Sequence, residues 1–246
     1  MWTNIQIRQH KEAAKRLLKI KDQTFDFIGK NKRNISELEV QNFLYQKFKE
    51  YNLKTDNHPL IIAFGENSAN PHYSPTEKTN KKLKTGDIIK LDIWARLSQK
   101  GAPFSDITWM AFRGNIIPKE IRRVFNTVIK ARDIGIEIIK NNLKKKKIIS
   151  GHEIDKAVRE FVHKSGYSGK FIHGTGHSLG FYSPHGNQNR LRPNSHSYLY
   201  KNIAYTIEPG IYLDGKFGVR SEIDFYINNK FKFILTTKLQ KEIIKL

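Results

Sequence analysis

Four acidic residues interrupt segments of this chain that are otherwise apolar and of strand length. Asp92 stands in IIKLDIWA, Asp106 in PFSDITWMAF, Glu208 in IAYTIEPGIY and Glu222 in FGVRSEIDFYI. A carboxylate inside such a strand is costly to bury unless a counter-charge or a metal ion accompanies it. A single one can face solvent, because side chains alternate along a strand, but exposure explains four of them less well. A buried ion pair is the other structural explanation, since Arg220 lies two residues before Glu222 on the same strand face.

Histidines cluster in a second segment. His173, His177 and His185 lie within HGTGHSLGFYSPH, and the interspersed glycines argue against a simple helix and permit close backbone approach. Imidazole together with carboxylate is the ligand set of Mn, Fe, Co or Zn hydrolytic centres. Four carboxylates with one or two histidines exceed the three protein ligands of a typical catalytic zinc ion. They suit two metal ions about 3.5 Å apart, joined by bridging carboxylates and a hydroxide.

Composition excludes several classes of protein. The chain has 246 residues and no cysteine, which rules out disulfides, thiolate metal sites and a cysteine nucleophile. Its net charge is +21, but lysine is scattered through every segment and accompanies much isoleucine and asparagine, as an AT-rich genome would produce. We therefore expect no specific nucleic-acid partner. No segment approaches the roughly 18 apolar residues of a membrane span, and the N-terminal segment does not resemble a signal peptide, so we expect no membrane partner and a cytoplasmic protein.

Hydrophobic periodicity predicts two helices followed by strands, and then the same order again. Ser36-x-x-Glu39 has capping-box spacing at the start of the second helix. A shift of 114 residues lays Ile35-Ser36 on Ile149-Ser150, which suggests a duplicated half. No low-complexity linker divides the chain, so we expect a single α+β domain over residues 1–246, with antiparallel strands where hairpins connect them. The predicted helices cover residues 5–29, a segment from Ser36, 118–142 and 150–165, and the predicted strands cover 60–64, 88–95, 107–112, 203–208, 219–227 and 231–236.

These segments resemble the pita-bread metallopeptidases, the family of methionine aminopeptidase, aminopeptidase P and prolidase. The resemblance spans residues 60–235 and rests on FGENSANPHYSP, KTGDIIKLDIWA, SDITW, HGTGHSLG, TIEPGIY and FGVRSEID. GVRSEID is similar to the aminopeptidase P and prolidase branch. The resemblance implies a pita-bread fold, with two pseudo-symmetric helix-helix-strand halves around a curved antiparallel sheet. It concerns the catalytic domain only, since the N-terminal domain of many members has no counterpart in this sequence.

The resemblance implies five metal ligands for two divalent ions. Asp92 would bind one ion and His177 the other, while Asp106 and Glu222 would bridge both. Glu208 would bind the ion on the histidine side and also serve as general base. Mn(II) is the expected metal, with Co(II), Fe(II) and Zn(II) as alternatives.

The resemblance also implies residues that meet the substrate. His72, in the PHY motif, would bind substrate or shuttle a proton, and His173 and His185 would line the pocket and hold the tetrahedral intermediate. Arg220 would orient neighbouring carboxylates. His185 follows His177 by eight residues, one more than is usual in the family, and a bulge at residues 183–184 would absorb the difference.

Two further departures from the family bear on the pocket. Asp92 and Asp106 are 14 residues apart, so the hairpin between them is longer than usual. Trp109 stands where many members carry arginine. We expect Tyr182, with Trp109 or Phe181, to give an apolar wall for a proline ring.

The function that the resemblance implies is a dinuclear-metal aminopeptidase that releases the N-terminal residue of peptides, with proline in second place, by attack of a metal-bridging hydroxide. A prolidase-type dipeptidase is the nearest alternative. A catalytically inactive pita-bread module that binds nucleic acid or protein is an alternative of a different class, which the presence of all five ligands disfavours. The expected partner is a peptide substrate, and a homodimer is compatible with the sequence.

Overall fold

The computed structural model describes residues 1–31 and 35–246. Within these ranges each half of the chain begins with a long helix and a shorter one, and strands follow, as the periodicity predicts. The first half comprises α1 (Asn4–Lys30), α2 (Glu37–Glu50), β1 (Leu53–Lys54), β2 (Ile61–Phe64), a 3-10 turn (Gly65–Ala69), β3 (Ile88–Leu97) and β4 (Phe104–Phe112). The second half comprises α3 (Lys119–Lys144), α4 (Gly151–Lys164), β5 (Ala204–Ile207), β6 (Gly210–Leu213), β7 (Phe217–Arg220), β8 (Ile223–Ile227), β9 (Phe233–Leu235) and β10 (Ile244–Lys245).

The shorter helices begin at matching capping boxes. The Ser36 hydroxyl accepts a hydrogen bond from the Glu39 N–H, and the Glu39 carboxylate accepts one from the Ser36 N–H. Ser150 and Glu153 repeat this exchange at the start of α4. Each exchange satisfies two backbone donors that a helix end otherwise leaves free. Both helices are 14 residues long, which confirms the predicted repeat.

The four strands of the first half and β10 of the second form a five-stranded sheet around a long hairpin. β3 and β4 pair antiparallel, with Asp92 opposite Thr108 and Trp94 opposite Asp106. β1 and β2 both pair with the other edge of β3, and β10 joins β4 in parallel. This hairpin places Asp92 and Asp106 on neighbouring strands. The sequence did not indicate β1 or β10, because two-residue strands carry no alternating pattern.

The second half repeats the hairpin with an interruption. β5 pairs with β8 and β6 pairs with β7 in one continuous register, and β9 extends the β5–β8 sheet. The single strand expected over residues 219–227 is wrong, because the strand is interrupted between β7 and β8. There the Glu222 N–H donates to the Thr108 carbonyl of β4, at 3.3 Å. On the other strand Pro209 follows Glu208 and has no N–H to offer a ladder. The two glutamates therefore lie at the interruption.

The helices cover the sheets on the side away from these carboxylates. α1 lies against β3 and β4, while α3 lies against α4 and β7. Leu17 and Ile28 of α1 and Val128 of α3 are fully buried there. Among the described residues, no helix combines the length and the apolar character that crossing a membrane requires.

The segment that carries His177 approaches β5 very closely. Gly176 exchanges backbone hydrogen bonds with Leu191, and the His177 carbonyl accepts from the Thr206 N–H at 2.8 Å. A Cβ on Gly176 would lie 2.2 Å from the Thr206 carbonyl oxygen, far inside contact distance. Glycine is therefore required here by space, and the contact fixes the backbone beside His177.

We expect Gly176→Ala to destabilise the protein by about 1–3 kcal/mol or more, because overpacking a close backbone contact forces the chain apart. Gly29→Ala is the matched control: its Cβ would meet the Leu246 side chain at an ordinary 3.5 Å, inside α1. That change should be neutral or stabilise by about 0.5–1 kcal/mol. Urea unfolding followed by circular dichroism measures both, and equal effects would contradict the steric argument.

Candidate metal centre

All five predicted ligands line one cavity of about 490 Å³. β3 and β4 contribute an aspartate each, and the interruption of the second hairpin contributes both glutamates. The histidine comes from the loop between α4 and β5. The ligands that meet there are Asp92, Asp106, His177, Glu208 and Glu222.

Three of these residues form the tightest group. One ligand atom each from Asp106, His177 and Glu222 lies within 4.8 Å of the others, and all three residues are buried. His177 Nδ1–H donates to the Ser178 carbonyl at 3.0 Å, which leaves the Nε2 lone pair free. That nitrogen lies 3.9 Å from Asp106 Oδ2 and 3.5 Å from Glu208 Oε1.

His177 is a neutral imidazole and no ion-pair partner for these carboxylates. Burial lowers the pKa of His177 to about 3, and the neighbouring His185 acts in the same direction, since two protonated rings there would repel each other. At neutral pH its Nε2 therefore offers a lone pair and no proton. A neutral imidazole with its other nitrogen hydrogen-bonded to a carbonyl is the form that binds a metal ion.

The carboxylates carry more negative charge than the protein alone balances. Burial raises the pKa of Asp106 well above its usual range, and the charges of Glu222, Asp224 and Glu208 raise it further. Burial and the charge of Glu222 likewise raise the pKa of Glu208. Asp106 Oδ1 is buried and meets no hydrogen-bond donor in the described part of the chain. Since imidazole and carboxylates converge there, the residues fit a divalent cation.

Thr108 and Arg220 connect Asp92 with Glu222, on the side of the cluster away from His177. The Thr108 hydroxyl lies 2.9 Å from Asp92 Oδ1 and 2.8 Å from Glu222 Oε2, and it accepts from Arg220 Nε at 3.0 Å. Arg220 Nη2 also donates to Asp92. Burial raises the pKa of Glu222, and Arg220 and Thr108 oppose the rise. Sequence reasoning selected Arg220 but missed Thr108, although its position two residues after Asp106 puts both on one strand face.

Asp224 is a second buried residue that sequence reasoning missed. Its Oδ2 accepts from the Ser105 hydroxyl at 2.6 Å and from the Asp106 N–H at 3.0 Å. These bonds tie β8 to β4 and fix the backbone that carries Asp106. The available signal was its spacing of two from Glu222, which again indicates one strand face.

His173 is held from two directions. Its Nδ1–H donates to the Gly174 carbonyl at 2.8 Å, so Nε2 accepts from the Tyr212 hydroxyl at 2.7 Å. Arg159 of α4 pairs with Asp155 and donates to the His173 carbonyl at 2.8 Å. Burial lowers the pKa of His173 to about 4, so the ring is neutral. Sequence reasoning missed Tyr212, because nothing local indicates a contact across 39 residues.

The other two predicted histidines also line the cavity. The His185 ring lies over the His177 ring, with centroids 4.2 Å apart. His72 follows the 3-10 turn, in a loop that the buried Glu37 carboxylate holds through the Phe64 N–H at 2.7 Å and the Tyr73 hydroxyl at 2.6 Å. Burial lowers the pKa of both histidines.

The expected apolar wall is wrong in its residues. Trp109 lies on the opposite face of β4 from Thr108, with Lys21 Nζ 3.8 Å from its ring centroid. Phe181 packs on Trp2, with ring centroids 5.8 Å apart, and Tyr182 is 92% exposed. The apolar residues that line the cavity are instead Pro59, Ile61, Pro71, Trp94 and Pro184.

Known proteins are similar to this chain in both sequence and fold. An uncharacterized peptidase of Staphylococcus aureus strain USA300 is 30% identical over 205 residues, which are 83% of this chain and 54% of that protein. An X-Pro aminopeptidase from Thermotoga maritima aligns with a TM-score of 0.86 at 25% identity, over 100% of this chain and 64% of that one. For a prolidase from Thermococcus sibiricus the TM-score is 0.82 at 31% identity, over 100% and 62%.

These likenesses confirm the pita-bread fold that the sequence motifs imply. The chain spans about half the length of the curated relatives it matches. The family model described as metallopeptidase family M24 matches residues 8–229, a span that includes all five predicted ligands. The chain belongs to metallopeptidase family M24.

Proposed function

We propose that this chain is a metal-dependent aminopeptidase that releases the first residue of peptides with proline in second place. The observation that carries the proposal is the convergence of Asp106, His177 and Glu222 at the wall of a substrate-sized cavity. Within this group, Asp106 Oδ1 accepts no hydrogen bond from the described residues. The names of the two solved relatives, an X-Pro aminopeptidase and a prolidase, support a bond next to proline.

Two divalent cations, with Mn(II) as the expected metal, would be held by the five ligands. Glu222 lies between His177 and Asp92, the expected ligands of the two different cations. It belongs to the group with His177, and it shares the Thr108 hydroxyl with Asp92. Asp106 would bridge beside it. Bound divalent cations lower the pKa of water and polarise a carbonyl oxygen.

The chain's own residues would move the protons and position the substrate. Glu208 is the most accessible of these carboxylates, with 14% of its side chain exposed, so it would accept the proton of the attacking water. His72 and His185 are neutral imidazoles that line the cavity and would donate to the developing oxyanion. His173 and Arg220, each held by hydrogen bonds, would keep their positions while the substrate binds.

A prolidase-type dipeptidase is the second candidate, and one observation favours it. Arg190 and Arg192 line the same cavity. A guanidinium group pairs well with a carboxylate, and the C-terminal carboxylate of a dipeptide would lie close to the cleaved bond. A longer peptide would place that carboxylate outside.

Glu208→Gln should reduce turnover about 100-fold or more while much of the metal remains bound. The amide still offers an oxygen to a cation but cannot accept a proton. Elemental analysis and a peptide assay on the same preparation separate the two effects. Glu120→Gln, at an exposed pair with Lys216, is the matched control and should change neither. Turnover near that of the wild type with metal bound would exclude Glu208 as the base.

Asp106→Asn should lose at least one metal ion per chain and nearly all activity, because the amide weakens both bridging contacts. Elemental analysis after dialysis measures the stoichiometry, with the exposed Asp133→Asn as control. A variant that keeps two ions, or a wild-type protein that is fully active with one, would contradict the dinuclear assignment.

Substrate choice is tested with peptides that differ only at position two. We expect release of the first residue from Ala-Pro-Ala-Ala and at least tenfold slower release from Ala-Ala-Ala-Ala, with Mn(II), Co(II) and Zn(II) each supplied. Proline lacks an N–H and has a fixed φ, so its site needs an apolar wall and no acceptor for that donor. Equal rates would remove the proline preference. Cleavage confined to Ala-Pro would establish the dipeptidase.

A further inference from the structure

A fifth carboxylate lines the cavity apart from the other four. Asp56 lies in the loop between β1 and β2, and only 7% of its side chain is exposed. It joins the wall of the cavity that holds the metal centre, but it is not among the clustered ligand atoms. Neither the family motifs nor the proposed chemistry uses it.

Asp56 is held in place by neutral or weakly basic donors. Trp94 Nε1–H donates to Oδ1 at 2.8 Å, and His58 donates through its backbone N–H at 3.2 Å and through Nδ1 at 2.9 Å. A carboxylate offers about four lone-pair positions, so roughly one remains free. Among the described residues, no lysine or arginine forms an ion pair with Asp56.

The Asp56 carboxyl is an anion at neutral pH. Burial alone would raise its pKa, but the hydrogen bonds from Trp94 and His58 outweigh burial, and the pKa lies below its ordinary value. A buried, oriented anion with unused acceptor capacity favours a cationic partner.

Trp94 places Asp56 beside the metal centre. Trp94 stands directly opposite Asp106 in the β3–β4 hairpin, so the two side chains share one face of the sheet. The indole then extends to Asp56 through its N–H. The charge of Asp56 reaches Asp106, whose pKa it helps to raise after burial and the nearer carboxylates, and it opposes the burial that lowers the pKa of His185.

Few groups in the described part of the cavity wall can form an ion pair with a cation. Outside the five ligands, Asp56 is the sole acidic residue of that wall in the part of the chain that the structure describes. The remaining titratable residues of the wall are His58, His72, His173, His185, Arg190, Arg192 and Arg220. Among the described residues of the wall, the predicted metal ligands and Asp56 are therefore the only carboxylates that can pair with a positively charged group on a substrate.

We propose that Asp56 binds a protonated amine on the first residue of the substrate. The proposal rests on the proposed peptidase function and names the part of the substrate that the cavity selects. Two amines have this chemistry: the free α-amine of the chain, and the side-chain amine of a lysine in first place. Recognition of the first would restrict cleavage to N-termini, whereas recognition of the second would select basic first residues.

The test uses four peptides with matched carbon chains: lysyl-, norleucyl-, 6-aminohexanoyl- and hexanoyl-Pro-Ala. They carry both amines, the α-amine alone, the terminal amine alone and neither. Binding is measured by calorimetry on Mn(II)-loaded Glu208→Gln protein, with and without Asp56→Asn, so that affinity is read independently of hydrolysis. Asp22→Asn, on the exposed surface of α1, is the control. Hydrolysis of the cleavable peptides is followed in parallel with protein that keeps Glu208, again with and without Asp56→Asn.

Asp56→Asn should weaken binding about 10- to 100-fold for the peptides that carry the recognised amine, and should leave the hexanoyl peptide unchanged. Loss with the lysyl and norleucyl peptides identifies the α-amine, and loss with the lysyl and 6-aminohexanoyl peptides identifies the side chain. An equal change for all four peptides, or none, overturns the proposal, because Asp56 would then only position Trp94 and His58. If Asp56→Asn weakens binding selectively but protein that keeps Glu208 hydrolyses none of the peptides, the Asp56 site stands and the peptidase function is excluded.

Discussion

Repulsion among four clustered carboxylates, three of them buried and Glu208 nearly so, is the constraint on which the arrangement of this site depends. Two like charges 4 Å apart repel by about 4 kcal/mol at an effective dielectric constant of 20, and the four here share one cavity. The protein offsets part of this with Arg220 on the Asp92 side, while His177 contributes no charge. Burial raises the pKa values of Asp106, Glu208 and Glu222, and for Asp106 and Glu208 the charges of neighbouring carboxylates raise them further. A site that keeps such a cost is suited to cations, which reverse its sign.

The duplicated architecture explains how one chain brings these groups together. The capping boxes of the two halves are 114 residues apart, whereas Asp92 and Glu208, like Asp106 and Glu222, are 116 apart. The repeat therefore extends from the helices to the ligands, with two added residues between the helix and the strands of the second half. Each half contributes two carboxylates from one hairpin, on the strands in the first half and at the interruption in the second, and the two hairpins meet where the Glu222 N–H reaches the Thr108 carbonyl.

Local sequence patterns predicted the helices and the repeat and singled out the carboxylates within apolar strands, because each depends on residues close in the chain, whereas the set of five ligands came from the family resemblance. Capping boxes and acidic residues within apolar strands are signals of this kind. The spacing of Thr108 and Asp224 from Asp106 and Glu222 indicated a shared strand face, but their partners depend on the register between strands, which no single segment specifies. Tyr212 was missed because its contact with the loop residue His173 is made only in the folded chain. The assignment of Trp109 to the cavity failed for a related reason: alternation along β4 sends it to the face opposite Thr108.

The loops that face the cavity are anchored by groups outside it. Glu37 of α2 holds the loop that carries His72 through the Phe64 N–H and the Tyr73 hydroxyl. Asp155 of α4 accepts from the Thr175 N–H at 3.0 Å and, through Arg159, holds the segment that carries His173. None of these bonds involves the predicted metal ligands, so they anchor the loops from outside the cluster of carboxylates. The polar groups of the cavity are therefore held in place by the fold, and under the proposed function such preorganised groups would stabilise a transition state most effectively.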